Sequence, residues 1–131
     1  MAGYSKKTLA EKLGMKPGMR AQVMNAPKIS GMDFPEGFKL VNTTSKPLDY
    51  IHLFTKNRKD LAKKFPLIAK PLEKKGMIWI SWPKKSSGVE TDLDENIIRE
   101  IGIQYGMVDV KVAAVDEVWS GLKFVYRLKD R

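Results

Sequence analysis

Three strongly apolar segments alternate with segments of helical periodicity, and this alternation restricts the folds open to the chain more than any other feature. DYIHLF (49–54) is rich in β-branched and aromatic side chains, which indicates a buried strand; MIWISW (77–82) is the strongest strand pattern, and VDVKVAAV (108–115) is also a predicted strand. Helical patterns lie between them, at about 57–75 and 93–105. Strands separated by helices of this length favour parallel pairing through right-handed crossovers.

The two helical segments carry start and stop signals. Asn57 can cap the first, and Gly76 is predicted to end it. Its inner face is formed by apolar residues at spacings of four, three and four, namely Leu61, Phe65, Ile68 and Leu72. Pro66 and Pro71 must kink or divide this helix, because proline lacks an amide donor and clashes one turn back. For the second helix, Asp92 followed by Glu95 resembles a capping box.

The remaining segments complete the expected sheet. A short helix at 7–14 is closed by Gly14, and strands are expected at 20–25 and 38–43, with little periodicity over 26–37. LKFVYRLK (122–129) alternates as an edge strand does and returns as a hairpin. The prediction is a single α/β domain over 1–131, with an N-terminal helix and turn at 1–19. Its architecture is three-layer and Rossmann-like, with a mostly parallel sheet of about six strands and an antiparallel C-terminal hairpin strand.

Composition narrows the function classes. The chain has no cysteine, which excludes disulfides and thiolate metal sites, and no segment approaches the roughly 18 apolar residues of a membrane span. A cytoplasmic protein without a membrane partner is expected. The net charge of +9 is concentrated in 1–20 and 56–75. These basic segments could bind nucleic acid or could be solvated lysine-rich helix faces, and they offer few aromatic side chains for stacking on bases.

The order of elements over about 48–128, ending in an antiparallel hairpin, resembles the closing half of a class I methyltransferase sheet. A resemblance over nearly the whole chain is carried by GYSKKTLAEKLGMKPGM, PLDYIHLF, MIWISWPKKSSGVETDL and VDVKVAAVDEVWSGLKFVYR. These segments are similar to a family of small bacterial proteins classed as a domain of unknown function. The resemblance implies a reduced methyltransferase-like core and no particular activity.

A methyltransferase of this type holds its cofactor through a glycine-rich turn after the first strand and an acidic residue ending the second. Related dinucleotide-binding enzymes use the same arrangement. Here the first strand runs into Asn25-Ala26-Pro27, and the second ends Val41-Asn42-Thr43-Thr44 without a carboxylate. Both anchors are missing, so no cofactor is expected. A degenerate S-adenosylmethionine-dependent enzyme remains an alternative.

Other catalytic patterns are not apparent, and no catalytic residue or metal ligand is assigned. His52 is the only histidine and lies inside an apolar strand, where a structural histidine is favoured over a general base. The serines lack a nearby base in the sequence, and GxSxG is absent. Asp92, Asp94 and Glu95 are close enough to suggest metal ligation, but helix capping explains them more simply.

The loops after two neighbouring strands form the best candidate site. Ligands of open parallel sheets bind outside the carboxyl ends of the strands. The predicted ligand-binding residues at this rim are Trp82, Lys84, Lys85, Ser86, Ser87, Asp116, Glu117 and Trp119. Their convergence would give a pocket with apolar walls and charges of both signs. Alternatively, the two lysines pair with the two carboxylates while the tryptophans cap the sheet edge.

The leading expectation is therefore a non-enzymatic binding or regulatory module that recognises a small anionic ligand or a protein partner at the Trp82–Trp119 rim. A methyltransferase-like enzyme and nucleic-acid binding through 1–20 and 56–75 are the alternatives. If 26–37 form no full helix, one sheet face lacks its usual cover. The N-terminal helix or a second subunit, in a homodimer, could then cover it.

Overall fold

Six strands form one mixed sheet in a computed structural model of the chain, which describes residues 7–29, 32–42 and 47–131. The strands are β1 (Arg20–Met24), β2 (Lys39–Leu40), β3 (Leu48–Phe54), β4 (Leu72–Pro83), β5 (Met107–Ala114) and β6 (Trp119–Tyr126). The helices are α1 (Leu9–Lys12), α2 (Arg58–Ala69) and α3 (Glu95–Gln104). In the order β2-β1-β3-β4-β6-β5, the first four strands run parallel and β6 is antiparallel to both neighbours. The predicted Rossmann-like α/β sheet with an antiparallel C-terminal hairpin is confirmed.

The two sides of the sheet are covered by different material. On one side, here the helical face, α2 and α3 bury Leu61, Phe65 and Ile98 against the strands. On the other, the N-terminal face, Leu13 and Met15 at the end of α1 pack over the sheet. The described residues of 26–37 form no helix. The N-terminal segment therefore covers part of the face that a crossover helix would otherwise occupy.

The helix after β3 is shorter than predicted. Asn57 caps α2 as expected, its side chain accepting a hydrogen bond from the Asp60 amide, but the helix ends at Ala69 and not at Gly76. Pro71 has no amide to continue the helix, and its carbonyl instead accepts from the Leu48 amide at 2.7 Å. Leu72 consequently opens β4 and pairs with Leu48. Pro66 is accommodated inside α2.

The cap of α3 also differs from the sequence prediction. Asp94, and not Asp92, is the N-cap, and its carboxylate accepts from the Ile97 amide at 2.8 Å. Asp92 instead accepts a 2.7 Å hydrogen bond from the Arg58 amide at the start of α2. Both acidic side chains thus satisfy free amides near helix starts, as the capping interpretation required.

The edge strands of the sheet also differ from the prediction. β6 was expected at an edge, yet it lies between β4 and β5, so β5 and the two-residue β2 are the edge strands. Alternation along β6 reflects a different cover on each face, with Lys123 and Val125 left partly exposed. The end of the second predicted strand, at Thr43 and Thr44, lies outside the described residues. Among the described residues, no helix combines the length and apolar character needed to cross a membrane.

Gly102 is required by the packing of α3 on the sheet. A Cβ at this position would lie 2.0 Å from Cε1 of Phe124. We expect Gly102→Ala to lower the free energy of unfolding by about 1–3 kcal/mol, because overpacking outweighs the gain in helix propensity of about 1 kcal/mol. Urea denaturation monitored by tryptophan fluorescence measures the change.

Gln104→Ala, an exposed substitution in the same helix, is the control and should alter stability by no more than about 0.5 kcal/mol. An unchanged unfolding midpoint in Gly102→Ala would contradict the close contact between α3 and β6.

Candidate ligand-binding site

The two loops predicted to meet at the carboxyl edge do meet. The Lys84 amide donates to the Val118 carbonyl at 2.8 Å, so the loop after β4 lies against the turn that precedes β6. In the antiparallel register, Pro83 pairs with Trp119 and Trp82 pairs with Ser120. The rim therefore exists as an edge of the sheet.

The two tryptophans of this rim do not form one pocket. Trp82 is 6% exposed and belongs to the core of the helical face, whereas Trp119 is 9% exposed and belongs to the core of the N-terminal face. Successive side chains of a strand point to opposite faces, and the β4–β6 register sets these two indoles on different sides of the sheet. They cannot wall a common cavity.

Polar residues at the rim shape its turns. The Ser87 hydroxyl donates to the Lys84 carbonyl at 2.6 Å, and the Asp116 carboxylate accepts from the Val118 and Trp119 amides at 2.9 and 2.7 Å. Lys85, Ser86 and Glu117 are exposed and Lys84 is half-buried. No ion pair joins the rim's lysines to its carboxylates in the described part of the chain. The structure thus brings the two loops together without assembling the eight residues into one site.

A cleft lies at a different point of the same edge, between β1 and β3. The connection from β1 leads outward to β2, and the connection from β3 leads the other way to β4. Such a reversal leaves a crevice outside the carboxyl ends of the two strands. Here the crevice has a volume of about 390 Å³ and is named the β1–β3 cleft; its lining residues are Asn25, Pro27, Phe54, Thr55, Lys56, Asn57, Asp60 and Trp119. This volume lies within the usual range of small-molecule sites.

Asn25 gives the floor of the cleft an unusual backbone. It directly follows β1 and has a φ of 59°, the single positive value among the described non-glycine residues. Asparagine is one of the few residues that adopt this left-handed conformation at modest energetic cost. The chain can therefore turn sharply at the end of β1 although no glycine is present, which the residue pattern alone did not reveal.

Side chains of opposite charge and several amide and hydroxyl groups line the cleft. The Thr55 hydroxyl donates to the Asp60 carboxylate at 3.1 Å, and Lys64 pairs with the same carboxylate at 3.2 Å. The exposed Lys56 stands beside Asn57, the α2 cap. Phe54 and Trp119 meet edge to face, with ring centroids 5.2 Å apart. The cleft can thus contact a zwitterion and a planar ring.

A second, apolar pocket adjoins the cleft through Pro27 and Phe54. It measures about 290 Å³; its remaining lining residues are Met15, Val23, Ala26, Ile29, Met32, Phe34 and His52. The His52 ring is stacked on Phe54, with centroids 4.3 Å apart. This pocket lies on the N-terminal face, where the crossover segment forms no helix.

His52 is a structural residue. Its Nε2 lies 2.6 Å from the Ser81 hydroxyl and its Nδ1 lies 3.0 Å from the Tyr50 hydroxyl, so both ring nitrogens have partners. The side chain is 1% exposed, and burial lowers its pKa to about 3. Burial likewise raises the pKa of Tyr50. The imidazole is therefore neutral and engaged, as the sequence favoured. Elsewhere in the described chain, no three His, Asp or Glu side chains group as metal ligands do.

Several solved structures similar to this chain are methyltransferases. The magnesium protoporphyrin IX methyltransferase of Synechocystis PCC 6803 has a TM-score of 0.59 at 10% identity, over 90% of this chain and 78% of that one. A SAM-dependent methyltransferase from Aquifex aeolicus has a TM-score of 0.58 at 14% identity, over 88% and 86%. The precorrin-6y C5,15-methyltransferase of Geobacter metallireducens GS-15 has a TM-score of 0.59 at 11% identity, over 91% of this chain and 86% of that one. The fold is that of the class I methyltransferases.

The similarity lies in structure, since no family model and no curated protein matches the sequence. The expectation of a non-enzymatic binding module at the Trp82–Trp119 rim is wrong. Methyltransferases align with about nine tenths of the chain, which supports the methyltransferase-like fold on which the alternative prediction rests.

The predicted rim lies at the same carboxyl edge of the sheet as the β1–β3 cleft but at a different part of it. Of the eight predicted rim residues, Trp119 alone lines the β1–β3 cleft, whereas Asn25, Thr55 and Asn57 were not singled out. The missing information was the strand order, because the reversal between β1 and β3 marks the crevice.

The buried imidazole predicts a pH-dependent stability. Its folded pKa of about 3 lies below the unfolded value of 6.5. Between these values the unfolded chain binds more protons, so the stability contributed by neutral His52 is complete above pH 6.5 and falls as the pH drops. We expect the free energy of unfolding to decrease by about 2 kcal/mol between pH 7 and pH 5, measured by urea titration at each pH.

His52→Gln is the control: it should be less stable at pH 7 but should lose this dependence, because the chain has no other histidine. A wild-type stability that stays constant from pH 7 to pH 5 would contradict the burial of a neutral ring.

Proposed function

We propose that the chain is a methyltransferase-like enzyme that binds S-adenosylmethionine in the β1–β3 cleft. The left-handed backbone of Asn25 is the observation that carries the proposal. Rossmann-type sites need a sharp turn after the first strand so that the backbone can approach the ligand, and glycine usually supplies it. Asn25 meets this conformational requirement at the same place in the strand order, so the lack of a glycine is no obstacle.

The donor set of the cleft fits the cofactor's groups. Lys56 offers a positive charge for the carboxylate of the amino-acid portion, and Asp60, whose carboxylate already pairs with Lys64 at 3.2 Å, would share that carboxylate with the ammonium. Phe54 and Trp119 offer apolar surface for the adenine. At the end of β2, the exposed Asn42 lines a neighbouring pocket, where its amide oxygen can accept from ribose hydroxyls.

Bound S-adenosylmethionine supplies a methyl group made electrophilic by its sulfonium. The residues of this chain would hold and orient the molecule. The Thr55 hydroxyl is fixed by Asp60 at 3.1 Å, and the Asn57 side chain is fixed as the α2 cap. The apolar pocket beside the cleft supports an acceptor with an apolar body, because it is lined mainly by methionine, valine and aromatic side chains. Water would be displaced from that surface on binding.

Isothermal titration calorimetry with S-adenosylmethionine and its demethylated product tests the proposal. We expect saturable binding to the wild type and to Asn25→Gly, which keeps the backbone conformation. Asn25→Val should weaken binding by about tenfold, because a β-branched residue in the left-handed region costs about 1–2 kcal/mol. No heat at millimolar ligand, or equal affinities of the glycine and valine variants, would contradict the proposal.

Lys56→Ala tests whether Lys56 contacts the amino-acid portion of the ligand and not the adenosine portion. Losing the ammonium should weaken S-adenosylmethionine several-fold but leave adenosine binding unchanged, since adenosine has no carboxylate. Lys85→Ala, an exposed change on the neighbouring loop, is the matched control. Calorimetry with both ligands gives the comparison, and an equal loss for adenosine would argue against the assigned orientation.

A further inference from the structure

A group of lysines gathers on the N-terminal face, away from the β1–β3 cleft. Lys111 on β5 and Lys123 on β6 are directly paired across the strands, with Trp79 of β4 on the other side of Lys123. A Cβ on Gly14 would lie 3.6 Å from the Lys123 ammonium, which places that ammonium beside the end of α1. The sheet thus sets two like charges side by side at the border of the N-terminal segment.

A cleft of about 480 Å³ continues this charged region along the strands. Its lining residues are Lys74, Lys75, Gly76, Val110, Val125 and Arg131. Val125 follows Lys123 by two positions on β6, so both side chains lie on the same face, roughly 7 Å apart along the strand. The basic surface consists of Lys16, Lys74, Lys75, Lys111 and Lys123.

In the part of the chain that the structure describes, no carboxylate forms an ion pair with the basic surface. The ion pairs found among the described residues involve other cations, Lys64 and Arg99. Partial burial, Lys111 and Lys16 lower the pKa of Lys123, and no acidic residue acts against them. The Lys111 ammonium donates to the Lys12 carbonyl at 2.9 Å, which orients it without removing its charge. Like charges directly opposite each other across strands are destabilising, so an anion bound here would relieve their repulsion.

We propose that the basic surface binds the phosphate backbone of a nucleic-acid duplex. Four lysines on neighbouring strands and along a cleft, with Lys16 of the N-terminal segment close enough to affect Lys123, match a polyanion better than a single small anion. Duplex DNA presents one charge for about every 1.7 Å of its axis. The lining of the cleft and the lysine pair include no aromatic side chain, so the surface contacts phosphates and does not stack on bases. It also lacks the aromatic anchors and the amphipathic helix that favour a membrane surface.

This surface is distinct from the proposed cofactor site. On β6, Lys123 lies four positions from the cleft residue Trp119, which corresponds to roughly 13 Å, and on β4, Lys75 lies eight positions from Pro83, the partner of Trp119, which corresponds to roughly 26 Å. The basic surface also differs from the basic segments 1–20 and 56–75 predicted from the sequence. Only Lys16, Lys74 and Lys75 come from those segments, and Lys111 and Lys123 lie outside them. Exposed lysines of α2, Lys59 and Lys63, lie over the opposite face. The inference therefore does not depend on binding of S-adenosylmethionine.

Fluorescence anisotropy with labelled 20-base-pair DNA and RNA duplexes at 50 mM KCl provides the test. We expect saturable binding whose affinity falls steeply with salt, with a slope of log K against log[KCl] of about −3.6 to −4.5 if four or five phosphates are contacted. Lys111→Gln/Lys123→Gln should weaken binding at least tenfold and make the slope shallower by about 1.8. Lys74→Gln/Lys75→Gln, at exposed positions, should act in the same direction.

The control Lys59→Gln/Lys63→Gln removes the same charge from the opposite face and should change affinity by less than about twofold. Circular dichroism and thermal unfolding establish that each variant is folded; if the Lys111/Lys123 pair is not, Lys74→Gln/Lys75→Gln decides. No duplex binding at 50 mM KCl would overturn the proposal, and so would equal weakening by the control, which would mean attraction by net charge alone. Binding to phosphatidylserine vesicles but to neither duplex would assign the surface to a membrane instead.

Discussion

The hydrogen bond from the Trp79 indole to the Leu13 carbonyl, 2.7 Å long, is the contact on which the rest of this architecture depends. Trp79 is fully buried in the central strand β4, and a buried indole N–H without a partner would be strongly destabilising. Leu13 follows the last turn of α1, where carbonyls have no partner within the helix. One bond therefore satisfies a donor of the sheet and an acceptor of the helix end, and it attaches the N-terminal segment to the sheet.

That attachment compensates for the missing crossover helix. The described residues between β1 and β2 form no helix, so the N-terminal face would otherwise expose Tyr50 and Trp79. Once Leu13 is fixed, Met15 enters the apolar pocket and the Lys12 carbonyl reaches the Lys111 ammonium. The apolar pocket and the basic surface both border the same short segment. The attached N-terminal segment therefore covers this face and also borders both the apolar pocket and the basic surface.

Local patterns in the sequence predicted the elements better than their pairing. The buried strands β3 and β4, the Asn57 cap and the turn at Gly14 depend on nearby residues, and the structure has them. The separation of Trp82 from Trp119 depends on the β4–β6 register, in which Pro83 faces Trp119. A shift of one residue would reverse the faces, and the length of a hairpin turn is not fixed by the strand pattern.

Long-range pairing also explains the other errors. Leu72 continues the helical spacing of Leu61, Phe65 and Ile68, and only its hydrogen-bonded alignment with Leu48 assigns it to β4. Leu72 alone fits both patterns, because it continues the helical periodicity and is also buried at the start of a strand. Pro71 was recognised as a helix breaker, but the position of β3 decided where the helix would stop.

A glycine in a cofactor-binding turn is a requirement on backbone conformation, and residue identity is one way of meeting it. Asn25 meets it with a side chain that a glycine would lack, and that amide lines the cleft. In the proposed site the second anchor differs more, because Asn42 would offer a neutral acceptor in place of a carboxylate. Hydrogen bonds to a neutral group are about half as strong as those to a charged one. In the proposed complex, affinity would therefore shift from the ribose toward the amino-acid portion, where Lys56 and Asp60 carry full charges.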